Sequence, residues 1–299
     1  MKSKVIVFIT VFFWLILSIS GIVGFVESKK VNDFGGCKYD GELVNGAEYV
    51  NGKYTYRYKQ KGLVNLYGVE WIDIDSDGWG VLLTDRESTE PISGEICSKI
   101  NGKPIVSTSF MYAYSKASSI DLSDLDTSNV EDMNWMFSKS EAEEIKGLEN
   151  INTSKVTNMS AMFNESKVNV LDLSHFDTSN VTNMSSMFMN SIAETLNVSS
   201  FDTSNVESMN YMFNKSSATE IKGLDKFNTK RVLNFGYMFA LSKASSLDLS
   251  SFEFGQLIYI SQMFSTCSAK EVYVKDQETL DLLKSEAGFI PRDLVFKIK

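Results

Sequence analysis

Residues 171–188 read LDLSHFDTSNVTNMSSMF, and close copies of this phrase stand on either side of it. The Met-aromatic pair marks the beat at Met111-Tyr112, Met136-Phe137, Met162-Phe163, Met187-Phe188, Met212-Phe213, Met238-Phe239 and Met263-Phe264, in steps of 25, 26, 25, 25, 26 and 25 residues. Self-similarity at such a period is the mark of stacked repeats, in which each unit buries its apolar residues against its neighbours. This period outranks any local propensity in deciding the fold.

Each unit divides into three parts. A short apolar pair comes first: Ile120/Leu122, Ile145/Leu148, Leu171/Leu173, Leu196/Val198, Ile221/Leu224, Leu247/Leu249 and Val272/Val274. Period-two spacing puts both members on one face of a strand. The two 26-residue steps carry an extra glycine here, Gly147 and Gly223, which reads as a bulge. A corner follows, with an apolar anchor (Phe176, Phe201) and then Asp-Thr-Ser-Asn, whose short polar side chains can bond the local backbone. Last come Val130, Met133, Met136 and Phe137, at i, i+3, i+6 and i+7, one apolar face of a short helix. The expectation is an α/β repeat solenoid over residues 107–274, with about seven repeats, each with one short parallel strand and one short helix. The Leu, Phe and Met ladders are core, and the strands make one continuous parallel sheet. The outer face of that sheet carries Asp121, Lys146, Asp172, Asn197, Lys222, Asp248 and Tyr273. Extended solenoid faces commonly bind partners, and a merely solvated face is the competing reading.

Around the repeats, residues 1–28 hold Lys2 and Lys4 and then an apolar run over residues 5–26, long enough to cross a bilayer as a helix. The leading charges orient the bulk of the chain outward. An uncleaved signal anchor and a cleavable secretory signal are the two readings. Residues 29–106 alternate in strand fashion, with turn signals at Asn51-Gly52 and Asp77-Gly78. They predict a small antiparallel β unit capping the first repeat. Cys37 and Cys97 bracket it, as a disulfide in an exported chain or as two buried thiols. Asp73, Asp75 and Asp77, ahead of Gly78, follow the first half of a calcium loop, but Thr84 stands where the bidentate glutamate belongs. A polar β-turn is the preferred reading of these residues, and calcium the alternative. Residues 275–299 read as a C-terminal cap, with a helix from Glu278 and a strand from Leu294.

The phrase at Leu171–Ser191, repeated closely at Leu196–Ser216, resembles the BspA-like leucine-rich-repeat surface proteins of bacteria. The resemblance covers about residues 107–274. It implies a leucine-rich-repeat-like right-handed coil, a cell-surface location and, for some members, adhesion to host or bacterial proteins. It brings no catalytic residues. The last unit departs from the pattern, with Phe254-Gly-Gln-Leu-Ile-Tyr-Ile in place of Thr-Ser-Asn-Val-Thr-Asn-Met.

Composition narrows the function further. A net charge of −9 argues against nucleic acid, which needs a Lys/Arg surface. One histidine, His175, removes most acid–base constellations, and no phosphate loop or metal-spaced cluster is written. The expectation is therefore a non-enzyme without cofactor, held in the cell membrane through residues 5–26. Its bulk is extracellular and it binds a protein on a host or bacterial surface. Secretion after cleavage is the alternative location, and a spacer protein without ligand the alternative role.

Overall fold

The computed structural model describes residues 37–65, 71–74, 76–94, 96–255 and 258–299. The expected signal anchor lies outside these. Gly36–Lys299 form one compact unit. Among the described residues no helix is long and apolar enough to cross a membrane.

The solenoid is built from strands and turns, and this overturns the expected helix in every repeat. The segment with helical spacing is a ladder between coils. The N–H groups of Met133, Trp135, Phe137 and Lys139 donate to the carbonyls of Asn158, Ser160, Met162 and Asn164 in the next coil, at 3.0, 2.9, 2.9 and 2.7 Å. Alternate N–H groups turn back three residues: Met136 to Met133, Ser138 to Trp135 and Ser140 to Phe137. Two residues per coil hold positive φ, Trp135 at 57° and Lys139 at 56°, then Ala161 and Glu165, Ser186 and Asn190, and so on along the stack. An α-helix keeps every φ negative and returns each N–H to its own i−4 carbonyl. Val130, Met133, Met136 and Phe137 are all fully buried. The spacing therefore marks the inward face correctly, and successive turns produce it without a helix. The architecture is a β-solenoid.

Short polar motifs make the corners, up to three in a coil; the first is replaced by a glycine-led 3-10 turn in the two 26-residue coils. In the third coil the side chains of Asp172, Asp177 and Asn183 accept from the N–H groups of Ser174, Ser179 and Ser185, each at 3.0 Å. These are Asx turns, in which the side chain replaces a backbone partner two residues on. The corner threonines were expected to bond locally, but they join coils instead. The Thr153 hydroxyl donates to the Asp177 carbonyl at 2.9 Å and accepts from the Asp177 N–H at 2.8 Å. Thr203 does the same with Asn228, and Thr229 with Glu253. These hydroxyls are buried, and the reciprocal pair satisfies both their donor and their acceptor.

On the opposite side run the strands. β8 (Ser119–Asp121) pairs in parallel with β9 (Glu144–Lys146), and β10 (Thr195–Asn197) with β11 (Glu220–Lys222). β12 (Ser246–Asp248), β13 (Glu271–Val274) and β14 (Val295–Ile298) form a third parallel group. The expected continuous sheet is thus three pieces. Two of its breaks follow β9 and β11, the strands of the 26-residue coils. There Gly147 (φ 75°) and Gly223 (φ 96°) turn left-handed into the 3-10 turns Leu148–Asn150 and Leu224–Lys226. The extra residue carries the chain out of ladder register with the coil that follows.

The N-terminal unit is a five-stranded sheet in the order β1-β2-β5-β7-β6. Its strands are β1 (Glu48–Asn51), β2 (Tyr54–Lys59), β5 (Gly78–Leu83), β6 (Lys99–Ile100) and β7 (Lys103–Ser107). It is antiparallel except for the parallel β5–β7 pair. The first turn is one residue later than expected, at Gly52-Lys53, since Asn51 pairs with Tyr54. Asp77-Gly78 makes no hairpin: β3 (Gly62–Asn65) pairs with β4 (Trp71–Ile74), while β5 crosses to β2 and β7. Tyr54, Tyr56, Tyr58 and Trp79 bury one face. The Leu83 N–H donates to the Met111 carbonyl at 3.0 Å, so the sheet stacks directly on the first coil. A disulfide joins Cys37 and Cys97. At the other end Asp276 caps α1 (Gln277–Glu286) by accepting from the Thr279 N–H, and β14 adds one more rung.

Candidate binding face

The strand register sets the predicted column side by side in pairs. Asp121 lies opposite Lys146, Asn197 opposite Lys222, and Asp248 opposite Tyr273. Asp172 is in no strand, so the column is interrupted at its centre.

Much of this column is already engaged. Asp121, Asp172, Asn197 and Asp248 each accept from the N–H of the serine two residues on, Ser123, Ser174, Ser199 and Ser250. Bonds from Ser123 and Ser174 hold the Asp121 and Asp172 carboxyls below the usual carboxylate range. Burial pushes the Asp248 carboxyl up, but Lys299 and Ser250 outweigh it and hold it low. These acids are corner devices as well as surface. The repeated Asp/Asn-x-Ser spacing was the signal for that role.

Lysines cover most of the remaining strand-face acids. Lys146 Nζ lies 3.8 Å from Glu144, Lys222 lies 3.5 Å from Glu220, Lys297 pairs with Glu271, and Lys299 with Asp248. Lys297 and Lys299 also lie 5.7 and 5.9 Å from the Tyr273 ring centroid, cation–π distances. Tyr273 is thus enclosed by charged side chains.

The centre of the face differs. No backbone–backbone hydrogen bond joins residues 169–173 to β9 or β10. An open groove of about 570 Å³ lies between this segment and β10, lined by Asn169, Val170, Leu171, Glu194, Thr195 and Asn197. Val170 is 81% exposed, the most exposed large apolar side chain among the described residues.

Of the proposed calcium ligands, Asp75 and the side chain of Asp73 lie outside the described structure. Asp77 accepts from the Lys61 N–H at 2.7 Å and lies 3.6 Å from Lys103 Nζ. Among the described residues no three His, Cys, Asp or Glu side chains converge as a metal site would require. His175 packs edge-on against Phe176.

These features define a stacked-coil β-solenoid with an outward strand face and no assembled reaction centre among the described residues. The family described as Mycoplasma protein of unknown function, DUF285, matches residues 106–220 and 166–277, which together span more than half of the chain. The chain belongs to that family. No curated protein and no solved structure matches it.

Proposed function

We propose that this is a non-catalytic surface protein of the BspA-like type, which binds another macromolecule through its strand face. It would be exported, held in the cell membrane through residues 5–26, and would meet a protein on a host or bacterial surface. One observation carries the reading. The core residues recur in every coil, whereas the outward strand column changes from coil to coil: Asp121, Asp172, Asn197 and Asp248 also cap a corner, and Lys146, Lys222 and Tyr273 stand at the same place in other coils. Packing demands the recurrent residues, and recognition is left to the varying ones. The disulfide is compatible with export, since such bonds persist in oxidising compartments.

The test is fractionation followed by binding. Full-length protein is expected in the membrane fraction. Its outward domain is expected to retain a surface protein saturably, and Lys146→Glu with Lys222→Glu should weaken that retention. Recovery in the cytosol would sink the location. Saturable binding that ignores both substitutions would sink the face, and the absence of any saturable partner would favour the spacer role.

A further inference from the structure

We propose that the ladder side of the last coils carries a further binding site, a tyrosine patch that takes a neutral oligosaccharide. It lies away from the strand column and does not depend on the role of that face.

The patch arises from two departures from the repeat, in adjacent coils, that fit each other. Parallel bridges align Asp132, Asn158, Asn183, Ser208, Asn234 and Tyr259 in one column. Asn183 and Asn234 cap a corner from this place, Asn234 by accepting from the Gly236 N–H at 3.0 Å. A tyrosine ring cannot make that Asx turn. Two residues further on, Asn134, Ser160, Ser185 and Asn210 carry a side chain, whereas Gly236 has none. A Cβ at Gly236 would meet Tyr259 Cε1 at 2.4 Å and Cδ1 at 2.7 Å, so the ring rests where the other coils have a side chain. The core gains nothing from the exchange, since Phe235, Met238, Ile260 and Met263 are buried as their counterparts are. A local rule broken without a packing gain marks a functional place.

The neighbours complete the patch. Tyr211 and Tyr237 stack at 4.9 Å, with planes 3° apart. Burial pushes the Tyr211 hydroxyl up, and nearby Tyr237 and Tyr259 add to it, so the three phenols stand together. Tyr259 is 52% exposed. Leu233, whose carbonyl accepts from the Tyr259 N–H at 2.9 Å, is 58% exposed, in a column that holds Glu131, Thr157, Thr182 and Glu207 in earlier coils.

Chemistry selects the guest. Aromatic faces are negative and attract the polarised C–H face of a sugar ring, while phenol hydroxyls exchange hydrogen bonds with its hydroxyls. Among the described residues none of the three phenols has a hydrogen-bond partner. Lys230 and Arg231, just before Leu233 in the chain, are paired with Glu253 and Glu207 at 3.6 and 3.4 Å. The charges on this flank are thus matched within the chain, which favours a neutral guest, and a net charge of −9 disfavours an acidic one. A stable protein interface takes about 800 Å² from each partner, more than three partly exposed tyrosines and a leucine supply.

The test applies the full chain in detergent to an array of immobilised neutral, acidic and basic oligosaccharides, followed by titration with the neutral one retained best. Retention is expected to be confined to neutral members. Tyr259→Ala, at an exposed position, should weaken binding roughly tenfold while leaving the urea midpoint in place. Tyr114→Ala, at an exposed tyrosine of the first coil, should leave binding unchanged. The proposal is overturned if no neutral oligosaccharide is retained, if acidic members are held equally, or if Tyr259→Ala binds as tightly as the parent. A protein partner lost on Tyr259→Ala, with no sugar retained, would overturn it in favour of a protein interface.

Discussion

Phe163 and Phe188 lie parallel, with planes 1° apart and ring centroids 6.0 Å apart, although 25 residues separate them. The stack runs on through Phe213, Phe239 and Phe264 at 5.6, 5.6 and 6.2 Å. Packed helices lie about 8–10 Å apart, whereas laddered strands lie about 4.8 Å apart. Aromatic rungs at this pitch leave no room for a helix in each coil. The observed ladder of backbone hydrogen bonds is the arrangement that fits.

Phe188→Ala removes a fully buried ring with stacking partners on both sides. The cost is expected to be about 3–5 kcal/mol, read as a lowered urea midpoint. Coils contact only their neighbours, so the damage should be local. Hydrogen exchange should rise first at the Phe163 and Phe188 amides, which bond across these coils. A uniform rise across the whole chain would contradict nearest-neighbour coupling.

Gly223 and Gly46 separate two effects of glycine. Both hold positive φ, but a Cβ at Gly223 would meet Ser199 Cα at 2.4 Å, while at Gly46 it meets nothing within 4 Å. Gly46→Ala is expected to cost about 1 kcal/mol, the left-handed penalty alone. Gly223→Ala adds a clash with backbone and is expected to cost about 2–4 kcal/mol. Thermal unfolding of the two variants side by side measures the difference.

The Cys37–Cys97 disulfide spans 60 residues of sequence and closes the cap. The chain-entropy relation puts its contribution at about 4 kcal/mol. Reduction, or Cys97→Ser with Cys37→Ser, should lower the midpoint of the cap. Fluorescence of Trp79, buried in the same sheet, should report that transition ahead of the solenoid.

Lys59 gives the cap a dependence on alkaline pH. Its ammonium is buried without a hydrogen-bond partner. Burial lowers its pKa to about 8, against the opposing pull of Asp132 and Glu131. The unfolded chain keeps the proton up to about pH 10.4. Between these values the unfolded state binds more protons, so stability should rise with pH across that window. Below pH 8 the full penalty of a buried charge applies. Lys59→Met is expected to flatten this slope, and a slope unchanged in the variant would assign it to another group.

Much of the coil was legible in advance. Leu171, Phe176, Met184, Met187 and Phe188 are buried as their spacing requires. The terminal helix and strand appear at Gln277–Glu286 and Val295–Ile298, near where their alternation placed them. What misled was the run from Val130 to Phe137. Spacing at i, i+3, i+6 and i+7 reports which side chains face inward, but not which carbonyl each N–H finds. The candidate groove was hidden for a related reason. Val170 and Thr195 occupy equivalent places in their repeats, and only the unmade bonds of residues 169–173 distinguish them.

By itself the sequence determined the period, the inward residues and the variable outward column. Apolar periodicity and repeat length are written in side chains, and burial acts on them directly. Tertiary structure decided where the backbone hydrogen bonds go: rung to rung through positive-φ turns, rather than within a helix, and broken on the strand side after Lys146 and Lys222. Those partners lie some 25 residues away. Which of them is reached depends on the pitch of the whole stack, a quantity no single coil contains.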